Sequence, residues 1–495
     1  MSGSEQQPPA RGAGRHGLAE LIAERRAKAQ RLKDSDGDAF PYVFRDAEPI
    51  AEIQRDYAHL KAGEETEEVH RVAGRLAARR EGGGAAFLDL VDRSAKIQLH
   101  ARRDVLGAER FEQLTALDLG DLIGVQGAAM RSKRGEISLR VENFQLLAKA
   151  LRPPPDKHAG LSDVETRYRR RELDLIASEQ TRQLFVDRAS IISAVRSYLD
   201  GEGFVEVETP VLQPVYGGAL ARPFTTRHNT LERTFYLRIA TELYLKRLLV
   251  GGLEKVYELG KDFRNEGISA KHNPEFTMVE FYEAYADYND AARRLEELVR
   301  AAAGAIGYAG PLDFAGSWRR VGFHEAVAQA TGVDLAVVRD EQALREAIAQ
   351  RGLSISTDGA SWAQMADDLL SKYVEPTLID PTLVLDYPVE LSPFAREHRS
   401  EQGLVERWEA FAGGIELANA FTELNDADAQ RERLQSTRLA FGEEKAQPLD
   451  ELFLEALEQG MPPAGGVGVG IDRLVMVLTG RSSIREVVLF PAMRD

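Results

Sequence analysis

The chain has 495 residues with 79 Asp and Glu against 63 Lys and Arg, which gives a formal net charge of -16, and it contains no cysteine. The length predicts two or three domains, and the lack of cysteine excludes disulfides, thiolate zinc sites and a cysteine nucleophile. No stretch approaches the ~20 consecutive apolar residues of a membrane-spanning helix, so we predict a cytoplasmic protein with no membrane partner.

The N-terminal part of the chain is predicted to contain a tail and then a helix. Residues 1–16 are rich in Gly, Pro, Gln and Arg, a composition typical of disordered chain. From about 17 to 33, Leu18 and Leu21 lie on one side of a highly charged stretch, which predicts an amphipathic helix. We therefore expect a disordered tail over 1–16 and a helical segment over 17–66.

Five short stretches of alternating apolar and polar residues follow. The pattern predicts strands at His70–Arg75, Phe87–Leu90, Ile97–His100, Leu122–Val125 and Ile137–Val141. Five strands favour a small barrel, and the OB-fold is the five-stranded barrel that binds oligonucleotides, although any small β-domain gives the same pattern. We place this domain at 67–150 and, because a proline-rich break follows it, a linker at 151–180.

The remaining residues, 181–495, are predicted to form a domain with an antiparallel sheet flanked by helices, because regular helical crossovers between strands are lacking. The whole chain is therefore expected to be α+β. The domain opens with an amphipathic helix that leads into Gly203–Pro210. Its apolar positions are Phe185, Ala189, Ile192 and Leu199. A stretch at about 310–375 contains three helical patterns and is interpreted as an insertion.

Residues 263–280 combine charged, amide and aromatic side chains in a way that is typical of a nucleotide site. Flanking alternation at Val256–Leu259 and Phe276–Tyr282 predicts two strands joined by a polar loop. Arg264 and Glu266 are two residues apart and would share a face, which suits a phosphate contact beside a carboxylate. An isolated pair of this kind is more often a salt bridge on a solvated hairpin.

A second candidate site lies around Gly413–Gly414, which is predicted to be a two-residue hairpin turn. Phe411 would then lie opposite Glu416, and Glu409 would be a diagonal neighbour of Glu416 at roughly 7–8 Å between Cα atoms. This spacing suits metal bridging. Hard oxygen ligands favour Mg²⁺, which also binds ATP phosphates.

Strict alternation creates a conflict further along the same strand. It places Asn419, Phe421 and Glu423 on the face opposite Glu416. If all four residues line one site, one extra residue must shift the register. We therefore predict a β-bulge between 416 and 419.

Near the C-terminus, Gly465–Gly470 runs into the helical pattern Leu474–Gly480 and is interpreted as a glycine-rich turn that allows close approach to a phosphate. Its spacing matches neither the Rossmann nor the P-loop motif, so both folds are disfavoured. Arg473 would lie in the first helical turn, where its charge opposes the helix dipole. A bound anion such as a triphosphate accounts for it better than helix stability does.

Residues 263–280 and 465–480 resemble motifs 2 and 3 of class II aminoacyl-tRNA synthetases, and 185–210 resembles motif 1. From about residue 15 onward the chain resembles the bacterial lysyl-tRNA synthetases. The resemblance implies an ATP-dependent, AMP-forming ligase that converts L-lysine to lysyl-adenylate and transfers it to the 3′ end of tRNA-Lys. It also implies an OB-fold anticodon-binding domain, a class II catalytic domain and a homodimer built on motif 1.

The resemblance also implies roles for individual residues. Arg264 and Arg473 would be catalytic. The ATP-binding residues would be Arg264, Glu266, His272, Asn273, Phe276, Glu409, Glu416 and Arg473, with Mg²⁺ on Glu409 and Glu416. The lysine-binding residues would be Gly218, Glu242, Glu280, Tyr282, Asn419, Phe421 and Glu423. The anticodon would contact Phe87, Gln98 and Glu136.

Acidic residues in the amino-acid pocket suit lysine, because a buried ammonium needs carboxylate partners. In the family, Glu280 and Glu423 meet the side-chain ammonium and Glu242 meets the α-amino group. The alternatives are an aspartyl- or asparaginyl-tRNA synthetase, which would need a cationic pocket for aspartate, and a non-catalytic RNA-binding paralogue. A ligase that lysylates a protein is disfavoured because such relatives typically lack the barrel.

Overall fold

The structure is a computed structural model that describes residues 13–34, 38–155, 161, 163–441 and 448–494. The chain divides into two compact units, Met1–Asp163 with Glu172–Arg182, and Val164–Arg171 with Gln183–Asp495. The fold is α+β, as predicted. Across the described ranges, no helix is both long enough and apolar enough to cross a membrane.

The first unit contains a closed five-stranded barrel, which confirms the five predicted strands. Its strands are β1 (Glu65–Gly82), β2 (Ala85–Val91), β3 (Lys96–Arg102), β4 (Leu122–Arg131) and β5 (Ile137–Ala148). They are ordered β1-β2-β3-β5-β4, and only β3 and β5 pair in parallel. Its helices are α1 (Ala13–Asp34), α2 (Ile50–Asp56), α3 (Arg103–Leu106) and α4 (Ala108–Thr115).

Helix α1 begins at Ala13, so the prediction of a disordered tail up to residue 16 is wrong for its last four residues. Residues 1–12 lie outside the described residues. The helix is tied to the barrel by polar contacts that composition does not reveal. The Arg25 guanidinium is buried and donates to three backbone carbonyls, and Lys28 forms an ion pair with Asp118 at 2.7 Å.

The second unit is built on an eight-stranded sheet ordered β12-β13-β14-β15-β16-β11-β10-β6. Only its two edge pairs are parallel, so the predicted antiparallel sheet is confirmed. Three short strands form a separate sheet, β7-β9-β8. The strands are β6 (Val205–Glu206), β7 (Leu212–Gln213), β8 (Thr225–His228), β9 (Arg233–Leu237), β10 (Lys255–Phe263), β11 (Glu275–Ala284), β12 (Arg319–Gly322), β13 (Thr382–Pro388), β14 (Leu404–Ala412), β15 (Ile415–Thr422) and β16 (Ala464–Gly470).

Further helices follow the barrel in the described part of the chain, and residues 172–182 within them belong to the first unit. They are α5 (Val164–Arg169), α6 (Arg171–Ala177), α7 (Glu179–Gly201), α8 (Glu242–Val250), α9 (Tyr288–Ala305), α10 (Phe323–Thr331), α11 (Glu341–Gln350), α12 (Trp362–Leu369), α13 (Ala427–Phe441), α14 (Glu451–Glu458), α15 (Ile471–Thr479) and α16 (Ile484–Val487), with a π-helical turn at Leu370–Val374 and 3₁₀ turns at Glu375–Thr377 and Val389–Leu391. The stretch 310–375 contains three of these helices and also β12, which pairs with β13 at the sheet edge.

Helix α7 buries a different stripe from the one predicted. Its buried apolar residues are Leu184, Ile191, Val195 and Leu199. Of the predicted positions only Leu199 is fully buried, and Ala189 is exposed. The buried residues follow the helical spacing i, i+7, i+11 and i+15, so they form one stripe that lies one position before the predicted Phe185 and Ile192.

The glycine-rich run is not a turn. Residues Ala464–Gly470 form strand β16 between β15 and β11, near the middle of the sheet. The alternation of glycine and valine has the period of a strand, with Val467 and Val469 buried in the main core. Gly466 and Gly468 face a cavity on the other side, where the missing side chains leave room for a site.

Candidate functional site

A cavity of about 430 Å³ lies on the glycine side of β16. All residues predicted to bind ATP line it, namely Arg264, Glu266, His272, Asn273, Phe276, Glu409, Glu416 and Arg473. Six residues predicted to bind lysine also line it, namely Gly218, Glu242, Glu280, Tyr282, Asn419 and Phe421. Glu423 is the exception. The cavity therefore brings together side chains that are up to 255 positions apart in the chain, from Gly218 to Arg473.

One end of the cavity is formed by the loop between β10 and β11, which pair as an antiparallel hairpin as predicted. The Arg264 guanidinium lies over the Phe276 ring, 5.1 Å from its centroid. Within the part of the chain that the structure describes, no carboxylate oxygen lies within 4.0 Å of Arg264, so the anticipated alternative of an Arg264–Glu266 salt bridge is not observed. An arginine on an aromatic ring with an uncompensated charge suits a phosphate.

Arg473 supplies a second cation at the same end. It lies in the first turn of α15, as predicted, and its Nη1 donates to Glu416 Oε2 at 2.8 Å. Its Nη2 donates to His272 Nε2 at 3.2 Å. Partial burial, followed by the Arg473 charge, lowers the pKa of His272, which keeps the ring neutral as an acceptor.

The predicted bulge is confirmed on β15. Ala410 pairs with Ala418, whereas the next residue, Phe411, pairs with Glu416, so Leu417 is the extra residue. The bulge turns the strand by one position. Asn419 and Phe421 consequently line the same cavity as Glu416, although simple alternation would separate them.

Glu409 lies on β14 in a dense polar group. Its Oε1 accepts from Arg407 Nη2 at 2.5 Å, and its Oε2 accepts from the Tyr387 hydroxyl at 2.8 Å. Burial raises the pKa of Glu409 to about 7, with Arg407 opposing the shift and the Glu416 charge adding to it. The charges of the two carboxylates therefore repel each other. The sequence analysis missed Arg407 and Tyr387.

Glu280 lies at the other end, on β11. Its Oε1 accepts from the Thr241 backbone N–H at 3.3 Å and its Oε2 from the Tyr282 hydroxyl at 3.2 Å. Burial, followed by the charges of Asp262 and Glu242, raises the pKa of Glu280 to about 8. Both of its hydrogen-bond partners are neutral, so this carboxylate is suited to receive a cation.

Glu423 lies behind the cavity wall and is fully buried. Its Oε2 is 2.5 Å from the Nζ of Lys246, which is 2.6 Å from Glu242 Oε1. Sequence reasoning missed Lys246. The available signal was its position one helical turn after Glu242, but such pairs are common on solvated helices and carry little information.

Two glycines allow these carboxylates to approach the backbone. A Cβ at Gly466 would overlap Glu423 Oε1 and the Tyr282 ring. Gly218 has φ +87°, and a Cβ there would lie 3.1 Å from that of Glu242. Both positions therefore require glycine, the second for its backbone conformation as well.

We expect Gly466→Ala to abolish lysine-dependent activity. The added methyl group must displace Glu423 or Tyr282, and overpacking of this kind costs ~1–3 kcal/mol. Lysine-dependent pyrophosphate exchange and thermal unfolding measure the two effects. Gly304→Ala on α9, where nothing lies within 4 Å of the added Cβ, is the matched control; it should leave exchange unchanged and, as a helical glycine replaced by alanine, should not lower the unfolding temperature. Normal lysine KM in Gly466→Ala would contradict the packing described here.

The predicted anticodon residues lie together on the barrel. The Phe87 ring is half-buried and stacks on His100, with centroids 4.8 Å apart and an interplanar angle of 3°. Gln98 Nε2 donates to Glu136 Oε2 at 3.1 Å. Phe87 pairs with His100, and Asp89 with Gln98, so Phe87 belongs to the outer face rather than to the barrel core.

Comparison with known proteins agrees with both units. Residues 163–494 match the family model for tRNA synthetases class II (D, K and N). Residues 70–147 match the model for the OB-fold nucleic acid binding domain. The first match spans more than half of the chain and coincides with the unit that contains the cavity.

The chain is also similar in sequence to known proteins over almost its full length. The chain is 49% identical to a lysine–tRNA ligase of Synechococcus sp. (strain CC9311), over 96% of this chain and 99% of the relative. It is 46% identical to one of Carboxydothermus hydrogenoformans, over 96% and 98%, and 48% identical to one of Chloroflexus aurantiacus, over 97% and 99%. With the cavity and the barrel described above, these matches establish that the chain belongs to the lysine–tRNA ligase family of class II synthetases.

Proposed function

We propose that the chain activates L-lysine with ATP to lysyl-adenylate and transfers the lysyl group to the 3′ end of tRNA-Lys in the cytoplasm. The observation that carries this proposal is the polarity of the cavity. Arginines without full carboxylate compensation line one end, and Glu280 lines the other without a cation. A pocket with this charge distribution suits a polyphosphate beside an ammonium, whereas an aspartate side chain would be repelled.

At the cationic end, Arg264 would bind the α-phosphate and Arg473 the γ-phosphate of ATP. Phe276, which already carries the Arg264 guanidinium on one face, would stack on adenine. Glu266, His272 and Asn273 would orient the nucleotide. Asn273 is held in place because its Nδ2 donates to the Glu275 carbonyl at 2.6 Å and its Oδ1 accepts from Ala492 N–H at 3.3 Å.

At the acidic end, Glu280 and Glu423 would meet the side-chain ammonium of lysine, with Tyr282 nearby. Glu242 would meet the α-amino group. Asn419 and Phe421 would complete the pocket, and the positive φ of Gly218 brings its backbone close to Glu242. The geometry would present the lysine carboxylate toward the α-phosphate.

The reaction requires no side-chain nucleophile. The lysine carboxylate attacks the α-phosphorus, the bond to the bridging oxygen breaks, and pyrophosphate leaves; a terminal ribose hydroxyl of tRNA then displaces AMP. The protein would contribute orientation and charge stabilisation, which together supply ~8 kcal/mol or more in such reactions. Because Arg264 has no carboxylate partner within 4.0 Å in the described ranges, its charge is available to the transition state.

The carboxylates Glu409 and Glu416 fit a divalent cation, and we propose Mg²⁺. They supply hard oxygen donors, and the Glu416 charge helps to raise the pKa of Glu409, a repulsion that a cation would relieve. A bound Mg²⁺ would neutralise charge on the ATP phosphates. Arg473 and Arg407, which contact these two carboxylates, would orient them.

We expect Glu416→Gln to raise the Mg²⁺ concentration needed for half-maximal exchange by about tenfold or more, because one of two ligating charges is lost. A magnesium titration of pyrophosphate exchange measures this. Glu346→Gln, on the exposed face of α11, removes the same charge elsewhere and should have no effect. An unchanged magnesium requirement in Glu416→Gln would remove the metal assignment.

We also propose that Phe87, Gln98 and Glu136 contact the anticodon. Single-stranded bases are recognised by stacking on aromatic rings and by hydrogen bonds to their edges. The stacked Phe87–His100 pair and the Gln98–Glu136 hydrogen bond lie on one face of the barrel and supply both. His100 extends the aromatic surface beyond the residue chosen from the sequence.

A homodimer is the proposed assembly. Large apolar side chains are exposed in the motif 1 segment, at Val186 and Val205, and directly after it, at Val211 and Leu212. A partner subunit would cover them. Light scattering on the purified protein tests this, and an active monomer would contradict it.

The proposed function is tested most simply by charging of tRNA transcripts. The enzyme should attach lysine to tRNA-Lys and leave tRNA-Asp and tRNA-Asn transcripts uncharged. Charging of tRNA-Asp with aspartate would overturn the proposal.

A further inference from the structure

A lysine of the chain itself lies within the wall at the acidic end of the cavity. Lys246 on α8 has 0% of its surface exposed. Its Nζ is 2.6 Å from Glu242 Oε1 and 2.5 Å from Glu423 Oε2. The rings of Phe394 and Phe421 enclose the ammonium, with centroids 4.9 Å and 5.2 Å from Nζ. A buried ammonium persists only where it is paired, as it is here.

Lys246 pairs with some of the buried carboxylates at this end of the cavity and not with others. The acidic end has the buried carboxylates Glu242 and Glu280 in its lining and Glu423 directly behind it. Lys246 contacts the first and the last. In the described ranges no lysine, arginine or histidine nitrogen lies within 4.0 Å of Glu280, whose partners are the Thr241 N–H and the Tyr282 hydroxyl. Only one of the three carboxylates is thus left without a cation of the protein.

We propose that Lys246 is a positioning residue for the amino-acid pocket, whose ammonium holds the Glu242 and Glu423 carboxylates in the orientation that the substrate requires. This inference rests on the proposed function.

Loss of the resident ammonium has a definite physical consequence. Glu242 and Glu423 would become uncompensated buried charges next to each other, which is strongly unfavourable. They would separate or take up protons. Glu423 fills the space opposite Gly466, and Glu242 lies against Gly218, so movement of either carboxylate changes the shape of the pocket. Neither residue lies at the ATP end of the cavity, so ATP binding should be unaffected.

The test compares Lys246→Met, Lys246→Arg and wild type in pyrophosphate exchange. For Lys246→Met we expect a rise of at least about tenfold in the KM for lysine, with the KM for ATP changing by less than about twofold. Lys246→Arg keeps the charge and should recover part of the loss. Lys255→Met is the matched control, because it breaks a lysine–glutamate pair, with Glu283 at 2.8 Å, outside the cavity.

A double-mutant cycle gives a readout that a purely structural role would not produce. Because Lys246 and Glu423 act as a pair, Lys246→Met with Glu423→Gln should be no worse for lysine KM than Lys246→Met alone. The double variant also removes one unpaired buried charge, so it remains testable if Lys246→Met does not fold.

Two results would overturn the inference: an unchanged lysine KM in Lys246→Met, or equal rises in the lysine and ATP KM values. Measurements on the wild-type protein distinguish failure of this inference from failure of the proposed function. If wild type exchanges pyrophosphate with lysine while Lys246→Met behaves like Lys255→Met, only the positioning role fails. If wild type does not respond to lysine, the proposed function fails first.

Discussion

Replacement of Arg264 by alanine is expected to abolish lysine-dependent pyrophosphate exchange while the fold stays intact. Arg264 lines the cavity on the Phe276 ring and has no carboxylate partner within 4.0 Å in the described part of the chain. The Arg264 charge acts on the buried Asp262, but that carboxylate keeps its ion pair with Arg238 at 3.1 Å, so the removal of Arg264 should cost little stability. Loss of one preorganised donor to a transition state typically lowers the rate by ~10²–10³-fold, and a charged donor should contribute at the upper end.

The control is Arg293→Ala on α9. Arg293 is 58% exposed at its side chain and, among the residues that the structure describes, forms an ion pair only with Asp290, so its removal should change neither exchange nor thermal unfolding. Exchange rates and unfolding temperatures of both variants should be measured together. Arg264→Ala with exchange close to that of wild type would remove the residue from the phosphate site.

Replacement of Glu280 by glutamine is expected to have the largest effect on amino-acid recognition. The variant keeps the shape of the side chain and its contacts with Thr241 and Tyr282, but it leaves the substrate ammonium unpaired in a buried site. Loss of one partner from a buried pair costs ~3–5 kcal/mol, so kcat/KM for lysine should fall by ~10²–10³-fold or more. The KM for ATP should change little.

The pH dependence provides a second readout of Glu280. Burial, followed by neighbouring carboxylate charges, raises the pKa of this group to about 8 in the empty pocket. Below that pH the group holds a proton, which must be lost before an ion pair with lysine forms. Lysine KM should therefore fall as the pH rises toward about 8 in wild type, and Glu280→Gln should lose this dependence.

The raised pKa of Glu280 also affects folding stability, which should fall as the pH rises. A carboxyl group whose folded-state pKa lies above its ordinary value destabilises the fold once it ionises, so this cost appears as the pH rises through the range from 4.5 to about 8. Glu325→Gln, on the exposed first turn of α10, controls for the loss of a negative charge. A Glu280→Gln enzyme with wild-type lysine KM at every pH would contradict the assignment.

Local pattern predicted the parts of the fold that depend on periodicity. The barrel strands and the β10–β11 hairpin alternate along the chain, and each pairs with a near neighbour, so sequence alone identifies them. The bulge at Leu417 was predictable because two sets of polar residues had to share one face. The interpretation of the glycine run as a turn was wrong. Glycine favours turns locally, but pairing with β15 and β11 makes this run a strand, and the face without side chains lines the cavity.

The missed residues depend on contacts that local pattern does not encode. Lys246 is buried only because Glu423, 177 positions away, approaches it past Gly466. Tyr387 reaches Glu409 from the neighbouring strand β13. In both cases the side chain alone looks ordinary in the sequence. Its role appears once the sheet brings the partners together.

The central claim is that the acidic end of the cavity selects lysine for activation at the cationic end. Amino-acid-dependent pyrophosphate exchange with lysine, aspartate and asparagine tests it most directly on the wild-type protein with ATP and Mg²⁺. Exchange should depend on lysine, and aspartate and asparagine should be at least ~10³-fold poorer substrates, as expected when a buried ionic partner is missing. Exchange supported by aspartate or asparagine, or the absence of exchange with lysine, would contradict the account.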